Sequence, residues 1–95
     1  MRLRWTRLAE CDLDDIADYI GLDSPAAAAR VILELIEQTE TLLTRHAALG
    51  RAGRLLGTRE LVIQGLPYVI AYRVRDNDVE ILRVLHTSRR WPDDL

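Results

Sequence analysis

The sequence contains no lysine: all 13 of its basic residues are arginine. Genome base composition alone can produce such a bias, yet arginine also suits bidentate contacts with phosphates and carboxylates better than lysine does. Cysteine is nearly absent as well. The single Cys11 has no partner for an internal disulfide and no second thiol with which to share a metal. His46 and His86 are isolated and lack ligand spacing, so there is no metal motif. No apolar run approaches the roughly 20 residues that span a bilayer. The opening "MRLRWTRLAECDLDD" turns acidic where an export signal needs its apolar stretch. "LGRAGRLLG" lacks the lysine and the preceding strand of a phosphate loop, and Ser88 has no paired base for nucleophilic catalysis. These absences leave a cytoplasmic protein with no metal, no cofactor and no membrane segment as the expectation.

What is present fits one globular domain over residues 1–95. The chain is 48 % apolar and 29 % charged, and it is long enough for one modest core. Its net charge of −2 conceals an asymmetry. Residues 1–50 carry five arginines against nine acids, whereas residues 51–90 carry eight arginines against four acids, and the tail "PDDL" is acidic again. The basic half could face an anionic partner, but the overall charge argues against indiscriminate nucleic-acid binding.

"RLRW" predicts a short opening strand, with Leu3 and Trp5 on one side and Arg2 and Arg4 on the other. Thr6 is placed to cap a helix whose apolar stripe is Ala9, Leu13, Ile16, Ala17 and Ile20. Asp12, Asp14, Asp15 and Asp18 fall largely away from that stripe and read as its wet face, and Gly21 reads as the stop. Ser24 and Pro25 open a second helix, in which Ala28, Ile32, Leu35, Ile36, Thr39, Leu42 and Leu43 keep the helical period. The short link between the helices predicts an antiparallel hairpin. "HAALGRAGRLLG" reads as a loop. "TRELVIQ", "YVIAYRVR" and "VEILRVLHT", joined by "GLP" and "DND", predict a three-stranded meander over 58–87. The fold class is therefore α+β in the order β-α-α-β-β-β, an N-terminal helical hairpin packed on one face of an antiparallel sheet. The sequence does not specify which edge the opening strand joins.

The residues with chemistry to offer lie on that sheet: Arg59, Arg73, Arg75, Arg83 and His86, with Arg89 and Arg90 just beyond. Strand alternation puts Arg73 and Arg75 on one face, and Arg83 and His86 on opposite faces if no bulge intervenes. Any one of these arginines is most simply a solvated side chain, while together they read as a contact surface. His86 suits general acid–base work, and it equally suits closing a strand end by hydrogen bonding to a loop. His46, in the last turn of the second helix, reads as a cap.

"ECDLDDIADYI", "SPAAAARVILELIEQTETLL" and "RELVIQGLPYVIAYRVRDNDVEILRVLHTSRR" occur in this order over nearly the whole chain. Together they resemble the RelE/ParE superfamily of bacterial type II toxin–antitoxin toxins, which includes plasmid stabilization proteins. "YVIAYRV" and "VEILRVLHTSR" are the most specific pieces. The resemblance implies one of two activities. RelE-like members enter the ribosomal A site and cut mRNA with positioned basic residues; ParE-like members poison DNA gyrase and lack that nuclease set. Where the nuclease branch commonly has a basic residue late in the second strand, this chain has Gln64. Where arginine often follows the third strand's opening tyrosine, it has Val69, and no tyrosine follows Tyr72.

By this resemblance the chain is expected to be a ParE-like, non-enzymatic gyrase inhibitor that binds its target through Arg73, His86, Arg89, Arg90 and Trp91. The alternative is a ribosome-dependent mRNA endonuclease in which Arg51, Arg54 and Arg59 clamp phosphate and His86 transfers a proton. A third possibility is a degenerate toxin that retains only antitoxin binding. The implied partner is a cognate ParD-like antitoxin, with a ribbon-helix-helix DNA-binding half and a disordered half that folds onto the toxin.

Overall fold

A computed structural model describes residues 1–92; the remainder of the acidic tail, residues 93–95, lies outside the described residues. The elements run β1 (Arg2–Trp5), α1 (Arg7–Gly21), α2 (Pro25–Arg45), β2 (Arg51–Ala52), β3 (Arg59–Val62), β4 (Tyr68–Arg75) and β5 (Asp78–His86). Both helices begin at the hydroxyl residues expected to cap them. Thr6 Oγ1 accepts the Ala9 amide at 3.2 Å, and Ser24 Oγ accepts the Ala27 amide at 3.1 Å. Thr6 also donates its own amide and hydroxyl to Ile81 O, at 3.0 and 2.8 Å, which joins the start of α1 to β5. Gly21 does not act as a left-handed stop. Leu22 caps α1 in right-handed helical conformation (φ −59°), and the amides of Asp23 and Ser24 both donate to Ile20 O.

The strands form one sheet in the order β1-β5-β4-β3-β2. The expected meander is present, with β3, β4 and β5 successively antiparallel. Its last turn uses Asp76 and Asn77 at φ 50° and 66°, the positive-φ pair that a two-residue hairpin requires and that Asp and Asn tolerate. In two respects the sheet departs from expectation. It is mixed rather than antiparallel, because β1 pairs parallel to β5, from Arg2 opposite Asp78 to Trp5 opposite Ile81. The segment read as a loop also contains β2, which pairs antiparallel to β3. The two corrections are linked. Parallel strands require a long crossover, which the helical hairpin begins. The additional pass through β2 reverses the chain once more, so that the last strand runs parallel to the first. Two residues between Gly50 and Gly53 show no alternation, so nothing in the sequence signals this pass.

The helices cover one face of the sheet. Ala9, Leu13 and Ile16 of α1 and Val31, Ile32, Leu35, Leu42 and Leu43 of α2 pack on Leu3, Trp5, Leu61, Ile70, Tyr72, Val79, Ile81 and Val84. Inward positions on β5 run 79, 81 and then 84 because the register slips. Tyr72 pairs with Ile81 and Ala71 with Arg83, which leaves Leu82 as a bulge residue. Arg83 and His86 both lie beyond the slip, opposite Ala71 and Tyr68, and so keep opposite parity.

Tyr72 fastens the connection from α2 to β2. Its hydroxyl donates to Ala47 O and accepts the Gly50 amide, both at 2.8 Å. Gly50 is required there by space: an added Cβ would come within 2.7 Å of the Tyr72 ring and hydroxyl. Tyr72→Phe should cost about 1–3 kcal/mol, because it leaves a buried amide and a carbonyl without partners. Gly50→Ala should cost a similar amount through overpacking, about 1–3 kcal/mol. Urea denaturation checks both, and an unchanged midpoint would show that the connection is held some other way.

Candidate functional site

β5 outlasts its neighbour. β1 pairs only with Asp78–Ile81, so among the described residues the outer edge of β5 from Leu82 onward has no strand beside it. Asp12 of α1 closes part of that edge. Its Oδ2 accepts Arg83 Nε at 2.8 Å and the Val84 amide at 2.9 Å, while Oδ1 accepts Arg83 Nη2 at 2.9 Å. The two side chains are only 13 % and 21 % exposed, so this bidentate, charge-assisted contact is well sheltered. It raises the Arg83 pKa above the ordinary arginine value. Asp12 is therefore not part of the wet face. A signal for this was available, since Asp12 lies three residues after Ala9 and four before Ile16, at the border of the apolar stripe.

Beyond this anchor the strand end and the tail form a compact cluster. The His86 ring meets Tyr68 edge-on, with centroids 5.4 Å apart. Its Nδ1 accepts the Ser88 amide at 3.1 Å and lies 2.9 Å from Ser88 Oγ, which holds the neutral ring in its Nε2–H tautomer. His86 O accepts the Arg89 amide at 3.3 Å and Trp91 Nε1 at 3.2 Å. The Arg54 guanidinium stacks on the Trp91 ring at 3.7 Å, and that of Arg89 lies 5.3 Å from the Tyr19 ring of α1. Between α1 and the tail lies a cleft of about 170 Å³, lined by Asp15, Ile16, Leu85 and Arg90 among others. Four of the five expected target-binding residues, His86, Arg89, Arg90 and Trp91, thus gather at one end. Arg73 does not join them. It sits opposite Glu80, five positions along β4 from Tyr68, a distance of about 17 Å at the rise of a strand.

Arg73 belongs to a ladder on the face of the sheet that the helices leave open. Glu80 accepts Arg73 Nε at 2.7 Å and Arg4 Nη2 at 2.6 Å. Asp78 accepts Arg2 Nη2 at 3.3 Å. Glu60 accepts Arg51 Nη2 at 3.3 Å and the Arg54 amide at 3.0 Å. Glu60 and Glu80 are both buried, and the hydrogen bonds from Arg73 and then Arg4 hold the Glu80 carboxyl below its ordinary value of 4.5. The sequence shows glutamates among arginines but not which residues stand opposite, because that depends on cross-strand register.

The residues of the alternative, nuclease-like set are mostly engaged in structural contacts. Arg51 and Arg54 surround Glu60, whereas Arg59 donates Nη1 to Ala48 O and Gly50 O at 3.2 and 2.9 Å. Arg59 stands opposite Tyr72 and His86 opposite Tyr68, four positions apart along β4, or about 14 Å. Only Arg54 approaches the histidine, through Trp91. Burial pushes the Tyr68 and Tyr72 phenols up, away from the range of a base. The Gln64 backbone is clamped by the Gln38 side chain of α2, which donates to Gln64 O at 2.9 Å and accepts its amide at 3.0 Å.

Two outcomes follow for stability. Asp12→Ala strands Arg83 and the Val84 amide, and should cost about 2–3 kcal/mol; a loss near zero by urea denaturation would remove the anchor from the account. Because the Glu80 pKa is lower folded than unfolded, its stabilising effect is complete above about 4.5 and fades as pH falls through the folded value. Acidification below that point should therefore lower the denaturation midpoint of the natural chain more than that of Glu80→Gln, and parallel curves would contradict this.

Comparison with known proteins agrees with the fold. Residues 3–91 match the family model for the ParE toxin of the type II toxin–antitoxin system parDE. Y4kP of Sinorhizobium fredii, whose name marks it as a toxin candidate, is 46 % identical over 94 residues, covering 99 % of this chain and 96 % of that one. Toxin RelE2 of Caulobacter vibrioides is 44 % identical over 87 residues, covering 90 % and 93 %. A solved structure of the chromosomal ParDE system from P. aeruginosa superposes with a TM-score of 0.86 at 33 % identity, covering 93 % of this chain and 97 % of the other. The chain belongs to the ParE toxin family of type II toxin–antitoxin systems.

Proposed function

We propose that the chain is a non-enzymatic inhibitor of DNA gyrase that docks through the end of β5 and the following tail. The observation that carries this reading is the separation of the groups a nuclease would need to bring together: Arg59 holds loop carbonyls opposite Tyr72, four positions along β4 from the Tyr68 that faces His86, and Arg51 pairs with Glu60 at the far edge of the sheet. The His86 Nδ1 is likewise taken by Ser88. What is left outward at the strand end is Arg89, Arg90 and the edge of Trp91, residue types that anchor protein interfaces. Arg73, on the open face, is a separate part of the target surface in this reading. The match to a ParE model supports the same branch.

The partner that restrains it is a ParD-like antitoxin with a ribbon-helix-helix half. Leu8, Tyr19, Leu22 and Leu33 stand exposed on the helical hairpin, and an antitoxin segment that folds on binding would bury such apolar anchors.

Purified protein should inhibit supercoiling by gyrase and trap cleaved DNA, and Trp91→Ala should weaken inhibition roughly 30-fold, equivalent to the loss of one interface anchor. Unchanged supercoiling at large molar excess would end this reading. The likeness to a protein named RelE2 and the contact of Arg54 with Trp91 favour the second reading, a ribosome-dependent mRNA endonuclease. Site-specific mRNA cleavage in a translating extract, with gyrase unaffected, would establish it instead.

A further inference from the structure

The open face of the sheet is organised as rows of charge. Arg2, Asp78 and Arg75 stand side by side on β1, β5 and β4, and Arg4, Glu80 and Arg73 form the next row. Arg51 and Arg54 flank Glu60 at the far edge. Six arginines thus face three acids, an excess of three positive charges on a chain whose net charge is −2. The compensating acids lie on the helices, among them Asp14, Asp15, Asp18, Glu34, Glu37 and Glu40, so the molecule is polarised from an acidic helical side to a basic sheet side.

The acids do more than neutralise. Glu60 and Glu80 lie buried beneath the arginines and hold each guanidinium by one edge. The five arginines in these ion pairs remain 39–76 % exposed, and among the described residues each spends only part of its fork on an acid. A fork fixed in this way loses little rotamer freedom when it meets an anion.

We propose that this face docks on the phosphodiester backbone of duplex DNA. Arg2 and Arg4 make one column on β1, and Arg73 and Arg75 make a second on β4, two strands away. Within each column the arginines repeat at about 6.7 Å, and the columns are about 10 Å apart. A rigid array of evenly spaced cations matches a rigid polymer of evenly spaced charge, and phosphate contacts of this kind position a protein without reading sequence. An acidic peptide fits less well. Such a ligand needs apolar anchors, and the positions between the two columns are the acids Asp78 and Glu80 of β5. The choice of duplex DNA over other phosphate polymers rests on the gyrase reading, in which the toxin acts beside DNA that the enzyme holds.

The test is fluorescence anisotropy of the full chain with a labelled short duplex, without gyrase, over a series of salt concentrations. Contacts from the four column arginines should make log K fall against log salt with a slope of about −3 to −4. Arg2 and Arg75 lie at the exposed end and support no buried glutamate, so the double variant R2Q/R75Q keeps the fold and should make the slope shallower by about 2. Arg30→Gln, on the outer surface of α2, should leave the slope unchanged. Absence of duplex binding at low salt would overturn the inference. So would a slope indifferent to R2Q/R75Q, or tighter binding of single-stranded RNA or an acidic peptide. Inhibition of gyrase without DNA binding would refute this inference and leave the proposed function standing; DNA binding with unaffected supercoiling would do the reverse.

Discussion

Asp12 receives three hydrogens at one point, two from Arg83 and one from the amide of Val84, and the free end of β5 depends on that contact. β5 extends past β1 to carry the tail, and a strand that extends past its neighbour exposes unpaired amides and carbonyls. The bulge at Leu82 makes the problem sharper by turning the strand just where strand support ends. A carboxylate from the helix that crosses this edge serves in place of a neighbouring strand. The same residue neutralises Arg83, which would otherwise be a half-buried charge without a partner. The cleft, the Tyr68–His86 contact and the anchored Trp91 all lie downstream of this one carboxylate.

An all-arginine complement makes the rest of the arrangement possible. The planar fork lets one arginine bind an acid with one edge and keep another edge free. Arg59 fastens the segment before β2 through Nη1, Arg83 fastens a helix to a strand with its fork, and Arg54 bridges Glu60 and the Trp91 ring. Lysine, a compact point charge, lacks the planar face that stacks on Trp91 and the fork that grips both oxygens of Asp12. A strongly acidic helical half and a basic sheet half can therefore share a chain of low net charge.

Much of the fold was legible in the sequence because it rests on local chemistry. Thr6 and Ser24 are caps, the apolar stripes keep a helical period, and Asp76-Asn77 between two β-rich runs makes a hairpin turn. What was not legible depends on distant pairing. The parallel partnership of β1 with β5 joins residues more than seventy positions apart, and no local pattern encodes its direction. β2 is too short to alternate. Gly21 looked like a helix stop by residue type, but the backbone there stays right-handed and the chain leaves through Leu22. The site was legible in part for the same reason. His86, Arg89, Arg90 and Trp91 are neighbours in sequence and so in space, whereas placing Arg73 required the register of β4 against β5. Asp12, Glu60 and Glu80 were passed over because an acid reads as solvated until its partner across the fold is known.

The central claim is that the end of β5 is a docking edge and not a catalytic centre, and His86 is where the two accounts separate. His86→Asn keeps a side-chain acceptor near the position of Nδ1 for the Ser88 amide, but it removes the imidazole ring. Growth arrest on expression without antitoxin is the direct measurement, with soluble level and thermal midpoint as controls. Docking through the outward Arg89, Arg90 and Trp91, with the His86 ring held between Tyr68 and Ser88, predicts that His86→Asn remains as toxic as the natural chain. Loss of toxicity in a folded, normally expressed His86→Asn protein would contradict it.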